Sequence, residues 1–438
     1  MRRATVFALL LAAALPAAAQ LRLPTLPGAG DTLDRLRTQR LPELAPTVRD
    51  TADSTEALTS ARRRALQTLL REQRASVEAD PAGAPVRRGE LLLVAPTPAL
   101  LRAALAEGFT LLRETVLDGL DLRHSVLAPP RGMALAAALA RLRALDPAVE
   151  ADFHHLYTPG GALGAATETA TLPKTPMPAA APRRVGLVDG GVDAGHPALR
   201  GVALQRWGCN GAVPPADGHG TAVASLLGSQ AASLPASLPA SQAAGRDTTL
   251  YAADVYCGAP AGGGVEAVAQ ALAWLAREQV AVINLSLVGP PNRLLERAVA
   301  AVTARGHLVV AAVGNDGPAA PPLYPAAYPG VLGITGVGAA RRVLPEAAQG
   351  PHVAFAAPGA ELSAARPGGG HVTVRGTSFA AALVAGLLAE RLPLPDTAAR
   401  ERVLQALALA ARDLGAPGRD PVYGHGLVAE RPETAAVR

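Results

Sequence analysis

Along residues 183–430, short apolar runs alternate with stretches in which Ala and Leu recur at helical spacing. Val185-Gly186-Leu187-Val188 and the runs at 250–255, 280–285 and 308–313 each hold at least four consecutive non-polar residues instead of alternating. Continuous apolar strands separated by helices predict a parallel sheet covered by helices on both faces. Residues 89–157 have a different texture. Strands are predicted at 90–94, 110–115, 122–127 and 151–156, with helices at 97–107 and 133–145. That β-α-β-β-α-β order is the ferredoxin-like pattern. Ahead of it, Leu58, Ala61, Ala65, Leu66 and Leu69 recur at helical spacing and predict one amphipathic helix over 54–75. The Asp80-Pro81-Ala82-Gly83-Ala84-Pro85 stretch then breaks the chain.

The remaining segments complete a map of six parts. Residues 1–19, MRRATVFALLLAAALPAAA, have a basic start, a short apolar run and a small-residue end, which is the pattern of a secretory signal. The run is too short to span a bilayer, and no other segment is apolar enough to do so. The expected location is therefore secreted or periplasmic, with no stable membrane span once the signal is removed. Residues 20–88 are an N-terminal extension, partly helical; 89–157 the small α+β domain; 158–182 a Gly-, Ala-, Thr- and Pro-rich linker. Residues 183–430 form the α/β domain and 431–438 a tail. The duplicated loop SLPASLPAS at 233–241 suggests no function.

Composition narrows the classes. The chain has 438 residues, 49% of them apolar, so a large core can be buried. Aromatics are 3%, so that core must be built from Ala, Val and Leu. The net charge is +5, carried by arginine, with Lys174 the one lysine. Nucleic-acid binding needs basic residues gathered on one face. Here they are scattered, as in Arg62-Arg63-Arg64 and Arg141-Leu142-Arg143, and read as the solvated faces of helices. No nucleic-acid partner is expected. In an oxidising compartment Cys209 and Cys257 are expected to form a disulfide, with two free buried thiols as the alternative.

Three polar islands interrupt the apolar elements where strand passes into helix or loop. Asp189 follows the strand at 185–188. His219 lies in Gly218-His219-Gly220-Thr221, and Ser378 in Gly376-Thr377-Ser378-Phe379-Ala380, each opening a helical run. Strand ends in parallel α/β sheets are where active sites collect. A serine hydroxyl needs a base near neutral pH, which an imidazole supplies, and a carboxylate on the far ring nitrogen fixes the tautomer. A serine at a helix N-terminus also sets its own N–H among donors aimed at a developing oxyanion. This trio predicts nucleophilic acyl transfer.

Asp, then His-Gly-Thr-x-Val-Ala, then Gly-Thr-Ser-x-Ala, in that order, resembles the subtilisin-like serine peptidase (subtilase) family. Val313-Gly314-Asn315-Asp316-Gly317 resembles the family's oxyanion-hole block, and Ile283-Asn284-Leu285-Ser286-Leu287 its substrate-binding strand. The resemblance implies a catalytic triad of Asp189, His219 and Ser378, and an oxyanion hole of the Asn315 side chain and the Ser378 N–H. It further implies substrate contacts at Ser286, Leu287, Val288 and Gly314. It implies a secreted endopeptidase acting on polypeptides, expected as a monomer, with 89–157 as a propeptide that inhibits the enzyme until it is cut within 158–182. A permanent accessory domain is the alternative for 89–157. No cofactor is expected; many family members bind calcium, and no acidic cluster here marks a site.

The departures concern room more than chemistry. Gly190 stands where Ser or Thr is usual, Ala222 where a second His is common, and Ala382-Leu383 where a Pro-containing continuation is common. Val288 replaces a pocket-lining glycine and is expected to favour small or medium apolar residues before the scissile bond. Two rival readings explain less. An α/β-hydrolase esterase using Ser378, Asp413 and His425 leaves Asp189, His219 and Asn315 without a role. A non-catalytic binding protein leaves all four groups without one. Asp193 and His196 read as a turn, not a metal site.

Overall fold

The computed structural model describes residues 48–159, 162–163, 183–228 and 248–429. The expected signal peptide, the extension before residue 48, nearly all of the linker, the 233–241 insertion and the tail lie outside the described residues. Helix α1 (Val48–Glu72) comes first, followed by β1 (Val77–Ala79), β2 (Pro85–Val94), α2 (Pro98–Ala106), β3 (Thr110–Leu117), β4 (Leu122–Ala128), α3 (Leu135–Leu145) and β5 (Glu150–Pro159). Thr97 starts α2 by accepting a hydrogen bond from the Leu100 N–H, with Pro98 in the first turn. Strand β2 lies between β4 and β5 in an antiparallel sheet of order β5-β2-β4-β3.

Period-two alternation gives this small sheet two apolar faces. Leu91 and Leu93 of β2 pack with Leu139, Leu142 and Phe153 under its own helices. Leu92 and Val94 point the other way, into a core shared with the large domain. A sheet apolar on both sides cannot stay uncovered on one, and the large domain supplies the second cover. Among the three adjacent arginines, Arg63 and Arg64 are exposed as expected, but Arg62 is not. It is half-buried in an ionic contact with Asp316, a long-range pairing that local sequence pattern does not report.

The large domain begins with β6 (Ala162–Leu163), β7 (Arg183–Asp189), β8 (Val202–Gly208), α4 (Gly218–Gly228), β9 (Thr248–Asp254), β10 (Gly263–Gly264) and α5 (Val265–Arg277). It continues with β11 (Val282–Leu285), β12 (Leu287–Val288), α6 (Arg293–Ala304), β13 (Leu308–Ala312), β14 (Val331–Val337), β15 (Val353–Pro358), β16 (Leu362–Ala365), β17 (His371–Arg375), α7 (Thr377–Ala389) and α8 (Thr397–Ala410). Seven strands form one parallel sheet, β15-β14-β13-β11-β7-β9-β8. Leu187, Val282 and Val310 face α4 and α7, while Val188, Ile283 and Val309 face α5 and α6. Every residue of α7 is buried, and its small side chains let it lie close under the sheet. At Gly386 a Cβ would approach the Leu227 carbonyl to 3.0 Å, so α4 and α7 touch backbone to backbone. An aromatic-poor sequence suits so tight a stack.

The two sheets meet across a polar seam within the apolar one. Glu266, in the first turn of α5, receives Arg113 at 2.5 and 2.8 Å, with His124 Nε2 at 3.0 Å. Glu90 receives Arg113 and His154 Nδ1, both at 2.7 Å. Burial alone would raise both carboxyls, but these partners outweigh it, holding Glu90 at about 2 and Glu266 well below its usual range. Asn292 caps α6 through Oδ1 and donates from Nδ2 to the Phe153 carbonyl at 2.9 Å and to His155 Nδ1 at 3.0 Å. His155 Nε2, then the protonated nitrogen, faces Asp80 Oδ2 at 3.2 Å. Asp152 accepts the Arg293 N–H at 3.0 Å, adding a charge of the favourable sign at the start of α6.

Candidate active site

Asp189 is the last residue of β7, at the carboxyl end of the sheet where the order reverses direction. Both of its carboxylate oxygens lie 2.9 Å from His219 Nδ1, and Oδ1 also accepts the Gly190 N–H at 2.7 Å. His219 is the second residue of α4, whose start is held by Asp217: its Oδ1 takes the Gly220 N–H at 2.8 Å. Asp189 is wholly buried and His219 nearly so. Burial raises the Asp189 carboxyl, although the imidazole and the Gly190 N–H oppose the shift. Burial would lower the imidazole, but the Asp189 carboxylate outweighs it, with Asp217 adding a smaller push, and leaves His219 above its ordinary value.

Ser378 is the second residue of α7 and is buried. The ring of the next residue, Phe379, lies 5.4 Å from the His219 ring. In this conformation Ser378 Oγ donates to the Ser286 carbonyl at 3.4 Å, and His219 Nε2 has no hydrogen-bond partner. The expected contact between hydroxyl and imidazole is thus unmade here; in resting enzymes such bonds commonly close only when substrate is bound. The serine backbone is anchored separately. Ser286 Oγ donates to the Ser378 carbonyl at 3.1 Å and receives Asn284 Nδ2 at 2.7 Å.

The Gly314–Asn315 turn is tied to the same helix start. Asn315 Oδ1 accepts the Thr377 N–H at 3.1 Å, which sets the donor end of the amide on the opposite side. Thr377 Oγ1 accepts the Gly314 N–H at 3.2 Å. Gly314 has φ +104°, and a Cβ there would meet Leu323 at 2.5 Å. Gly190 is explained in the same way. A side chain on it would come within 2.8 Å of the Asp217 carboxylate, so the small residue makes room for the acid.

Along one side of this cluster runs the end of β5, three residues beyond the strand the sequence predicts. Thr158 lies opposite Val288 and Pro159 opposite Leu287, while Leu156 and Tyr157 lie opposite Gly264 and Gly263. The extension has no apolar signature because main-chain pairing on both flanks supports it. Tyr157 is wholly buried; its ring covers Gly289 and its hydroxyl donates to the Pro290 carbonyl at 2.7 Å. On the far side, Ala162 of β6 lies opposite Arg375, directly before Gly376-Thr377-Ser378.

Cys209 and Cys257 are joined in a disulfide between the loops after β8 and β9. Among the described residues, only these two and Asp254 group metal-binding side-chain atoms closely enough to share an ion, and two of the three are spent on each other. Asp193 and His196 form a turn: Asp193 accepts the Gly195 and Gly368 N–H groups, and His196 accepts the Ala198 N–H. Sequence reasoning passed over Asp217, Asn284, Thr377 and Tyr157. The first three lie within the quoted motifs or two residues from one; Tyr157 carries no signal of its own.

The profile of the subtilase family, Peptidase_S8, matches residues 183–426. The chain is 33% identical over 213 residues to subtilisin Savinase of Lederbergia lenta, covering 48% of this chain and 76% of that protein. It is 33% identical over 213 residues to the alkaline protease of Alkalihalobacillus alcalophilus, spanning 53% of that protein. Its fold is similar to that of fervidolysin from Fervidobacterium pennivorans, described as a keratinolytic enzyme related to subtilisin. That likeness has a TM-score of 0.62 and 18% identity, over 80% of this chain and 61% of that one. This chain belongs to the subtilase family and is a subtilisin-like serine peptidase.

Proposed function

We propose that the protein is a secreted endopeptidase made as a self-inhibited zymogen, with Asp189, His219 and Ser378 as its triad. The observation that carries the reading is the buried Asp189–His219 pair beside the helix that opens with Ser378. Rotation of Ser378 Oγ from the Ser286 carbonyl brings it to His219 Nε2, which takes its proton as Oγ attacks the peptide carbonyl. Asp189 holds the proton on Nδ1 and stabilises the imidazolium. The Asn315 amide and the Ser378 N–H receive the oxyanion. His219 returns the proton to the leaving amine, and water hydrolyses the acyl-enzyme by the same path. Ser286, Leu287, Val288 and Gly314 line the substrate's course, Val288 narrowing it for small or medium apolar side chains. A preference for Phe over Ala and Leu in matched peptides would contradict that role.

The docked end of β5 supports the inhibitory role of the preceding domain. A strand paired between β10 and β12 occupies the place of a substrate, and its register runs toward Ser378. We place the processing bond among those joining Pro159 to Ala162. N-terminal sequencing and mass measurement of wild-type and Ser378→Ala protein test this. Wild type is expected to start at residue 160, 161 or 162, and the variant to keep its N-terminal region. A fluorophosphonate probe should label Ser378 alone. Normal processing in the variant would rule out self-cleavage.

A further inference from the structure

Beside the Cys209–Cys257 disulfide stands Asp254, the last residue of β9 and 3% exposed. Its Oδ1 accepts the Tyr256 and Cys257 N–H groups, both at 2.8 Å, which fixes the plane of the carboxylate. Its Oδ2 is aimed at Cys209 Sγ, 3.5 Å away. A disulfide sulfur carries no hydrogen, so this oxygen meets no donor there. Asp254 also forms no ion pair among the described residues. Burial raises its carboxyl, the two N–H groups oppose the rise, and Asp217 and Asp189 add to it. A buried carboxylate oxygen with neither donor nor cation is costly, and this one faces two sulfurs.

The spacing suits a metal ion. Sulfur and oxygen on tetrahedral zinc, at about 2.3 and about 2.0 Å, lie about 3.5 Å apart. That is the separation of Cys209 Sγ and Asp254 Oδ2, 3.5 Å. All three donor atoms lie within 4.8 Å of one another. Two thiolates on one zinc need about 3.8 Å between sulfurs, which side-chain rotation supplies once the bond between them is cut. Two sulfurs and one oxygen select zinc over calcium, which takes oxygen ligands. The backbone also favours opening. Cys209 and Cys257 sit at φ +52° and +49°, a left-handed region that side chains make unfavourable. Cys257 is exposed as well, and strained, accessible disulfides are the ones thiols open.

We propose that Cys209, Cys257 and Asp254 form a zinc site that becomes available when a dithiol reduces the disulfide. A thiolate of the reductant attacks Sγ of Cys257, the exposed sulfur, and Cys209 leaves as a thiolate. The reductant's second thiolate then attacks its own sulfur in the mixed disulfide and frees Cys257. The reductant ends as a disulfide, and the two cysteines gain its two electrons and two protons. Zinc displaces those protons as it binds both sulfurs and Asp254 Oδ2, with water as the fourth ligand. The loop held in this way belongs to the groove. A few residues beyond Cys257, Gly263 and Gly264 of β10 pair with Tyr157 and Leu156. Gly258 lies against Pro215, in the segment leading to Asp217 and His219. Reduction unties that loop, and zinc ties it again.

The test uses the full-length Ser378→Ala chain, reduced with dithiothreitol and freed of it under nitrogen, with cobalt(II) and zinc(II) chlorides as probes. Cobalt is expected to bind at one ion per chain, with the thiolate charge-transfer absorption and visible bands of a tetrahedral sulfur-bound ion. Zinc should bleach both, and the oxidised chain should show neither. Asp254→Asn should weaken cobalt binding by about tenfold or more. Replacing both cysteines by serine should abolish the bands. No bands in the reduced chain, or equal affinity in Asp254→Asn, overturn the site. Loss of far-ultraviolet circular dichroism on reduction overturns it too, because the three donors then part. Hydrogen exchange over residues 257–264 reads the tie to the groove: reduction should speed it several-fold and zinc should restore it. Exchange indifferent to zinc would overturn that tie. None of these measurements involves peptide cleavage, so their outcome is separate from the peptidase reading above.

Discussion

Tyr157 gives the most direct measure of how firmly the N-terminal domain is held. The side chain has no exposed surface, its ring covers Gly289, and its hydroxyl reaches the Pro290 carbonyl at 2.7 Å. Truncating a buried aromatic ring to alanine costs about 3–5 kcal/mol in transfer and cavity terms. Removing the hydroxyl alone forfeits one hydrogen bond, about 1 kcal/mol, because Pro290 is half-exposed and water can replace the donor. With a urea dependence of about 2 kcal/mol per molar, Tyr157→Ala should lower the undocking midpoint by about 2 M and Tyr157→Phe by about 0.5 M. The background is the full-length Ser378→Ala chain, so that no cleavage intervenes. The readout is intrinsic fluorescence, since the protein's two tryptophans, Trp207 and Trp274, stack 6.2 Å apart and share a cavity with Thr115–Asp118 of the small domain. An unchanged midpoint in Tyr157→Ala, or equal shifts in the two variants, would refute the view that this ring anchors a substrate-like strand.

Asp189→Asn should cut kcat by about 10⁴, the scale known for the equivalent change in trypsin-like enzymes, and should move the acid limb of the pH–rate profile downward, because the carboxylate is what keeps His219 basic. Wild type should therefore lose kcat/KM as pH falls through a value above the ordinary imidazole range, measured with a neutral peptide. Asn315→Ala should lower kcat by about 10²–10³, the loss found for such an asparagine in subtilisin, with little change in KM. Docking of the small domain should weaken as pH falls below about 6.5, the reference imidazole value. Burial lowers His154 in the docked state despite Glu90, so the released state binds the extra proton and is favoured by acid. Urea midpoints at pH 8 and pH 5 check this, and the difference should shrink in His154→Gln.

The parallel sheet was legible because its strands are buried on both faces and so read as unbroken apolar runs. Asp189, His219 and Ser378 were legible because each sits in a small-residue block at an element boundary, where a lone polar group stands out against Val and Ala. What escaped was set by distant pairing. Strand β5 runs on through Thr158 and Pro159 because β10 and β12 flank it, and neither residue shows that locally. Arg62 reads as surface charge like its two neighbours until Asp316 is placed beside it. His154 and His155 read as adjacent residues on opposite faces, and the acids that hold them, Glu90 and Asp80, are specified only by the folded register. The rotamer of Ser378 is decided by the Ser286 carbonyl, a main-chain atom that no side-chain pattern encodes.

The wall opposite Leu287 and Val288 consists of glycine. A methyl group on Gly262 would stand 2.4 Å from the Tyr157 carbonyl, and one on Gly264 would stand 2.5 Å from the His154 ring. On the proposed reading of this groove, that border can feel only whether a guest chain is stretched out, and the choice among side chains falls to the other border and to the ends.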